Sequence, residues 1–270
     1  MMPDLVSFGP LTVHWYGVMM ALGFLAGLFN WTLLGRPIGR DFKFCSDLLF
    51  WIMVAGILGA RTAYILSDLP YFLANPSRII RIDEGGLVYF GGFLGSWLAL
   101  YLFARSRRMP FFELADLVVT SLPLAHAFGR VGCFMNGCCH GMATRCPMGV
   151  AYPERSMAWH QQLMAGLLQP EANHSLPVHP VQLYESAFNL LLFGLLLLVW
   201  RARRRAGMVG VVYLLVYPVG RFAIEFLRGD HRIRWAGLSI AQWVSIGLFG
   251  VGLGLWWVLR RAASRKQEAV

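Results

Sequence analysis

Seven stretches of the chain, at residues 15–34, 47–66, 87–104, 114–132, 183–200, 208–227 and 238–259, are predominantly apolar, and polar segments separate them. A bilayer core takes about 20 residues of helix, so the pattern predicts seven transmembrane helices. The second, fourth and sixth carry ionisable residues and qualify on length and flanks. The fold class expected is an all-α integral membrane protein, one domain over residues 1–270, with neither internal repeats nor low-complexity segments.

The polar linkers are unequal. "GRPIGRDFK", "ARSRR", "RARRR" and the tail "RRAASRK" hold 14 of the 24 Lys and Arg residues, and seven crossings put all four on one side. Positive-inside bias makes that side cytoplasmic, with the N-terminus outside and the C-terminus inside. On the opposite side lie residues 67–86, rich in turn signals, and residues 133–182, a Pro-punctuated stretch with a short helix expected near "SMAWHQQLMAGLL". The latter reads as a small outer-face cap. The N-terminal segment lacks a basic n-region and a cleavage site, so a retained first helix is expected.

Composition sharpens the picture. Charged residues make up 14% of the chain and hydrophobic ones 57%, against roughly 25% charged in soluble domains. The formal charge of +10 sits in short clusters abutting helix ends. That placement sets topology and argues against nucleic-acid binding.

Ionisable groups inside spans mark functional sites by default. In "YPVGRFAIEFLRGD", Tyr217, Arg221, Glu225 and Arg228 are spaced to share one helical face. Arg130, at the outer end of the fourth span, and Arg61, in the second, add further cations, and Asp116 lies near the other end of the fourth. A surplus of guanidinium near the outer leaflet calls for an anion, and the planar fork suits a phosphodiester. A structural ion-pair ladder with a snorkelling Arg130 is the competing account. Gly85 and Gly91 in "EGGLVYFGGFLG", beside Tyr89, allow close helix packing or close approach of a ligand. "HPVQLYES" brings His179 and Glu185 to the start of the fifth span, as headgroup contacts, proton carriers or interfacial anchors.

Taken in order, "HWYG", "GAR", "EGG…GG", "GRVGCFMNGCCHG", "HPVQLYE", "GRFAIEFLR" and "LSIAQWVS" resemble the prolipoprotein diacylglyceryl transferase family over nearly the whole chain. The resemblance implies a multi-pass enzyme of the bacterial cytoplasmic membrane whose active site faces the outer leaflet. It would transfer the diacylglyceryl group of phosphatidylglycerol to the lipobox cysteine of a prolipoprotein signal peptide, releasing glycerol phosphate, with no cofactor and no metal. It implies that Arg130 holds the phosphate and Arg221 is the second essential cation. Tyr16, Asn136, Gly141, Tyr217, Glu225 and Arg228 also fall on family motif positions.

Two departures stand out. Cys133 and Cys138 occupy positions where the family motif carries asparagine and glutamate. Phe90 stands where a histidine, a candidate base for the thiol, is common. His140, His179, His126 and Tyr89 are then alternatives for the base. The outer cysteines Cys133, Cys138, Cys139 and Cys146 are open to disulfide pairing, free thiols or metal binding, though their spacing matches no standard zinc knuckle. Two rival functions remain: a membrane thiol oxidoreductase and a non-catalytic lipid-binding paralogue.

Overall fold

A computed structural model describes residues 4–8, 11–81, 85–229 and 234–268. The chain opens with an antiparallel hairpin, β1 (Asp4–Phe8) and β2 (Leu11–His14). There follow α1 (Trp15–Gly35), α2 (Phe42–Ser67), α3 (Leu69–Ala74), α4 (Tyr89–Ser106), α5 (Phe111–Asn136), α6 (Met157–Met164), α7 (Val181–Ala202) and α8 (Met208–Glu225). A second small hairpin, β3 (Arg234–Trp235) and β4 (Leu238–Ser239), leads into α9 (Ile240–Glu268). All seven apolar stretches are helices, and the short helix expected in residues 133–182 is α6. The two hairpins are additions that the apolar pattern does not announce.

Among the described residues, six helices, α1, α2, α5, α7, α8 and α9, are long and apolar enough to cross a membrane. α4, at 18 residues with three glycines, two serines and Arg105, falls short of that standard. The long helices display large apolar side chains outward, among them Phe29 (65% exposed), Leu191 (76%) and Leu198 (62%). Such surfaces aggregate in water and are accommodated by hydrocarbon. The protein is a multi-pass membrane protein.

The described residues fall into two compact units, one of residues 28–118 and one of residues 1–27 with 119–270. In the first, α2 and α4 pack backbone to backbone. A methyl on Gly91 would run into the Gly59 carbonyl, and one on Gly95 into that of Ala55. The Ser96 hydroxyl seals the contact by donating to Ile52 O at 3.2 Å. Arg61 is buried in the same unit and is not a surplus cation. Its Nε donates to Ile79 O (2.9 Å), Nη1 to Gly85 O (2.9 Å) and Gly86 O (3.2 Å), and Nη2 to Arg78 O. The fork that reads as an anion hook in the sequence is consumed in holding the carbonyls on either side of residues 82–84, which lie outside the described residues.

In the second unit, α5, α7 and α8 share a core of Val119, Leu192, Leu196 and Val209, flanked by Phe188, Tyr213 and Tyr217. The Phe188 ring fills the space where a Gly220 side chain would stand, which brings α7 and α8 close. Residues 137–180 form a mesh of single bridges, Ala143 and Val150 both pairing with Val178, and Pro153 with His174. Tyr152, Ala158 and Val178 make its small core.

The α2–α4 contact predicts that Gly95→Leu, which drives a side chain into backbone, lowers stability by about 1–3 kcal/mol. The expected observation is a reduced Tm in detergent, with Gly247→Ala, where nothing lies within 4 Å of an added methyl, as a control for general glycine effects.

Candidate anion-binding site

The site is built on three helices, α5, α7 and α8, and the segments that follow α5 and α8. α7 begins at Val181, so Glu185 sits one turn inside it and is 1% exposed. Its carboxylate is the hub. Arg130 Nε lies 3.0 Å from Oε2, Arg221 Nε 3.7 Å from Oε1, and His126 Nε2 3.4 Å from Oε1. His126 is one turn before Arg130 on α5, and Arg130 Nε donates to its Nε2 at 3.2 Å. The Nε–H of Arg130 is thus donated to the imidazole, while Glu185 faces the same nitrogen as an ion-pair partner without a hydrogen bond.

On α8, Arg221 Nη1 meets Glu225 Oε2 at 2.6 Å. Glu225 Oε1 accepts a 2.7 Å hydrogen bond from Ser239 Oγ. Ser239 also caps α9, accepting from Gln242 N at 3.3 Å while Gln242 Oε1 accepts from Ser239 N at 2.9 Å. This is a capping box, and its Ser-x-x-Gln signature is present in "LSIAQ". The Tyr217 ring lies 5.6 Å from that of His126 and stacks on Tyr213 at 5.2 Å.

Arg228 does not share the helical face of Tyr217, Arg221 and Glu225, as its spacing had suggested. α8 ends at Glu225, and the chain tightens into bonds from Leu227 N to Ile224 O and Arg228 N to Glu225 O. Arg228 then pairs with Gly141 in a backbone bridge. Gly141 N donates to His179 O, Met142 N to Leu227 O, and Gly229 N to His140 O. A side chain on Gly141 would meet His179 O at 2.6 Å and Leu227 O at 2.8 Å. Only a glycine lets these three strands of chain cross.

The cysteine loop closes the cluster. Gly137 (φ +71°) reverses the chain after α5, and Cys139 (φ +60°) continues it in the left-handed region. The sulfurs of Cys133, Cys138 and Cys139 come within 4.8 Å of one another, and all five cysteines are free thiols. Gln182 Nε2 pins the loop by donating to Cys138 O (2.7 Å) and to the Tyr152 hydroxyl (3.1 Å). Burial pushes Tyr152 up to about 12, against that hydrogen bond from Gln182. Hydrogen bonds from Cys133 and Cys138, with the Arg228 guanidinium beside it, draw the Cys139 thiol below the usual range.

Tyr16 and Asn136 border a groove of about 710 Å³ shared with Val13, Gly17 and Ala21. Tyr16 is near enough to Arg130 and the three clustered cysteines to interact with them electrostatically. His140 is a brace, with Nδ1 2.9 Å from Gly141 O and Nε2 2.9 Å from Gln161 Oε1. Both ring nitrogens are occupied and the ring is 3% exposed, so the expectation that it serves as a base is not supported. His179 Nδ1 lies 3.4 Å from the Tyr184 hydroxyl. Tyr89, Gly85 and Gly91 belong to the 28–118 unit, where Gly91 serves helix packing and the Gly85 carbonyl receives Arg61.

Chemically, three guanidinium groups face two carboxylates beside a cluster of three thiols. Among the described residues, the partners of Arg130 all meet its Nε, and its side chain is 16% exposed against 9% for Arg221. The two terminal nitrogens of Arg130 are thus the end of the cluster suited to an arriving oxyanion.

The family model for prolipoprotein diacylglyceryl transferase matches residues 3–258. The chain is similar to phosphatidylglycerol–prolipoprotein diacylglyceryl transferases from several bacteria. It is 36% identical to that of Symbiobacterium thermophilum over 270 residues, covering 99% of this chain and 96% of that protein. It is 37% identical to that of Synechococcus elongatus, covering 95% and 87%. The corresponding values for Clostridium tetani are 32%, 94% and 96%.

If Glu185 holds two guanidinium groups together, Glu185→Gln leaves them facing each other in a dry site. A loss of about 3 kcal/mol is expected, read as a lower Tm in detergent. Adding Arg130→Gln should restore part of that loss, because it removes one of the uncompensated charges.

Proposed function

The chain belongs to the prolipoprotein diacylglyceryl transferase family, and from that membership we propose that it moves the diacylglyceryl group of phosphatidylglycerol onto a prolipoprotein cysteine. The acceptor is the lipobox cysteine of the signal peptide, and the products are a thioether-linked lipoprotein precursor and glycerol phosphate. The observation that carries this reading is Arg130, engaged at Nε by His126 and Glu185 and still 16% exposed, in a site at the end of an apolar helix.

The reaction transfers negative charge from sulfur to the departing phosphate. Arg130 takes the phosphate oxygens bidentately, and its interaction strengthens as the carbon–oxygen bond breaks. Arg221 adds positive potential from behind, oriented by Glu185 and Glu225. Arg228 approaches from the end of α8, held by its pairing with Gly141. Tyr16 and Asn136 contact the headgroup from the groove they border, and Tyr217 does so beside His126.

In this reading α4 is the seventh span, its glycines and Ser96 matched to α2 rather than to lipid. The basic linkers set the N-terminus outside and the C-terminus in the cytoplasm. Residues 133–182 cap the outer face, so the chemistry takes place at the outer leaflet of the bacterial inner membrane, where a lipid donor enters from the bilayer. A thiol oxidoreductase gains no support from the relatives, and the cysteines lack a Cys-x-x-Cys pair.

The test incubates purified protein with phosphatidylglycerol vesicles and a lipobox peptide. The expected outcome is a peptide heavier by one diacylglyceryl group, with glycerol phosphate released in equal amount. A folded preparation that binds the lipid yet forms no thioether would leave only the non-catalytic paralogue. Arg130→Lys keeps the charge and loses the fork, and is expected to slow transfer about 100- to 1,000-fold. Wild-type rates in that variant would remove bidentate phosphate binding from the account.

A further inference from the structure

Cys133, Cys138 and Cys139 are not explained by phosphate binding, yet they are the most organised part of the cluster. Their sulfurs lie mutually within 4.8 Å. A zinc ion bound to thiolates at about 2.3 Å places tetrahedral ligand sulfurs about 3.8 Å apart, so the three need move little to share one ion. The approach is built by backbone that works against its own preference. Cys139 adopts φ +60° without being a glycine, a conformation that persists only where surrounding structure imposes it. That structure is present, because Gln182, fully buried on α7, holds the Cys138 carbonyl, and Cys138 N donates to Cys133 O at 3.2 Å.

A disulfide would use two of the three sulfurs and strand the third. His140 is the nearest residue in sequence to offer a fourth ligand, but its two nitrogens are held by Gly141 O and Gln161 Oε1. The set is therefore three thiols and one open position. Structural zinc sites close with four protein ligands, whereas three ligands with an open position characterise sites that act on an arriving group. All three cysteines are partly accessible. Cys133 stands three residues after Arg130 on the same helix, and Cys139 touches Arg228. The sulfur cluster therefore adjoins the guanidinium cluster.

We propose that Cys133, Cys138 and Cys139 bind one thiophilic divalent cation, of which zinc is the type, and that its fourth position takes the acceptor cysteine of the prolipoprotein. This rests on the transferase reading. On coordination, the acceptor thiol gives its proton to water and stays bound as thiolate. A sulfur electron pair then attacks the glycerol carbon that bears the phosphate. The carbon–sulfur bond forms, the carbon–oxygen bond breaks, and its electron pair leaves on the phosphate oxygen held by Arg130. The neutral thioether is a weak ligand and departs, and the metal keeps its three cysteines. No oxidant, reductant or second cofactor is needed.

The experiment uses the full chain in detergent, stripped with chelator under reducing conditions and titrated with Zn²⁺ or Co²⁺. One ion per chain is expected, with cobalt giving a thiolate charge-transfer band. Cys138→Ser should abolish this stoichiometric binding, and Cys146→Ser should leave it unchanged. A lipobox peptide, added without phosphatidylglycerol, should raise the band by about one-third as a fourth thiolate binds; the same peptide with serine for cysteine should not. Stripping should cut the transfer rate at least ~100-fold, and one equivalent of Zn²⁺ should restore it.

Absence of stoichiometric metal from folded protein overturns the proposal. So does a disulfide among the three thiols in protein isolated without reductant, or a cobalt band indifferent to the peptide. Full transfer by the stripped protein refutes the metal and leaves the transferase standing. Failure of transfer in stripped and loaded protein alike, with the cobalt response intact, counts instead against the transferase reading.

Discussion

A carboxylate at 1% exposure, met by two guanidinium groups and an imidazole, is the contact on which this site depends. Removing Glu185 and both arginines from water costs several kcal/mol per ion before any attraction is counted. The cost is offset only if the charges stay close and well oriented. The three helices are therefore not free to drift: α5 brings Arg130 and His126, α7 brings Glu185, and α8 brings Arg221. Glu225 extends the network to α9 through Ser239, so four helices are tied by charge at one level. The packing of Phe188 on Gly220 brings α7 and α8 near enough for this to happen.

The same network distinguishes Arg130 from Arg221. Arg221 is met by carboxylates at both Nε and Nη1 and is the more deeply buried of the two. Arg130 is held only at Nε, so its planar end remains for an anion. Two arginines identical in chemistry thus differ in role because of which nitrogen each commits to Glu185 and Glu225. The backbone crossing at Gly141 adds a third, Arg228, that no longer belongs to a helix. Its position depends on hydrogen bonds between residues far apart in sequence, Met142 with Leu227 and Gly229 with His140.

The helices were legible because the bilayer imposes a length and the chain obeys it. Each of the seven apolar stretches is helical to within a few residues. Arg130, Arg221 and Glu225 were legible because a charge in an apolar run is costly enough to need a reason. Glu185 was visible in "HPVQLYES", but nothing local distinguishes an interfacial anchor from a hub whose partners sit on two other helices. Arg61 misled for the complementary reason: its partners are main-chain carbonyls, which leave no signature in a sequence. Arg228 misled because the periodicity continues past Glu225 although the helix does not. The capping box at Ser239 could have been read from "LSIAQ"; its donation to Glu225 could not.

The cysteine cluster shows what a substitution within a conserved-looking motif can mean physically. Displacing sulfur onto carbon needs a thiolate at the start and a stabilised phosphate at the end, so positive charge is required at both ends of the path. Guanidinium groups suit the second end, because they bind oxygen by hydrogen bonds and are weak partners for sulfur. A thiophilic cation suits the first, because it binds sulfur tightly only after the proton has left. Separating the two tasks between different cations lets the phosphate site stay strongly basic without also having to remove a proton. In this chain a loop of three thiols, a left-handed turn and one buried glutamine place the second kind of cation beside the first. Cys133, Cys138 and Cys139 then supply the ligands, and no basic side chain is required to take the proton from the thiol.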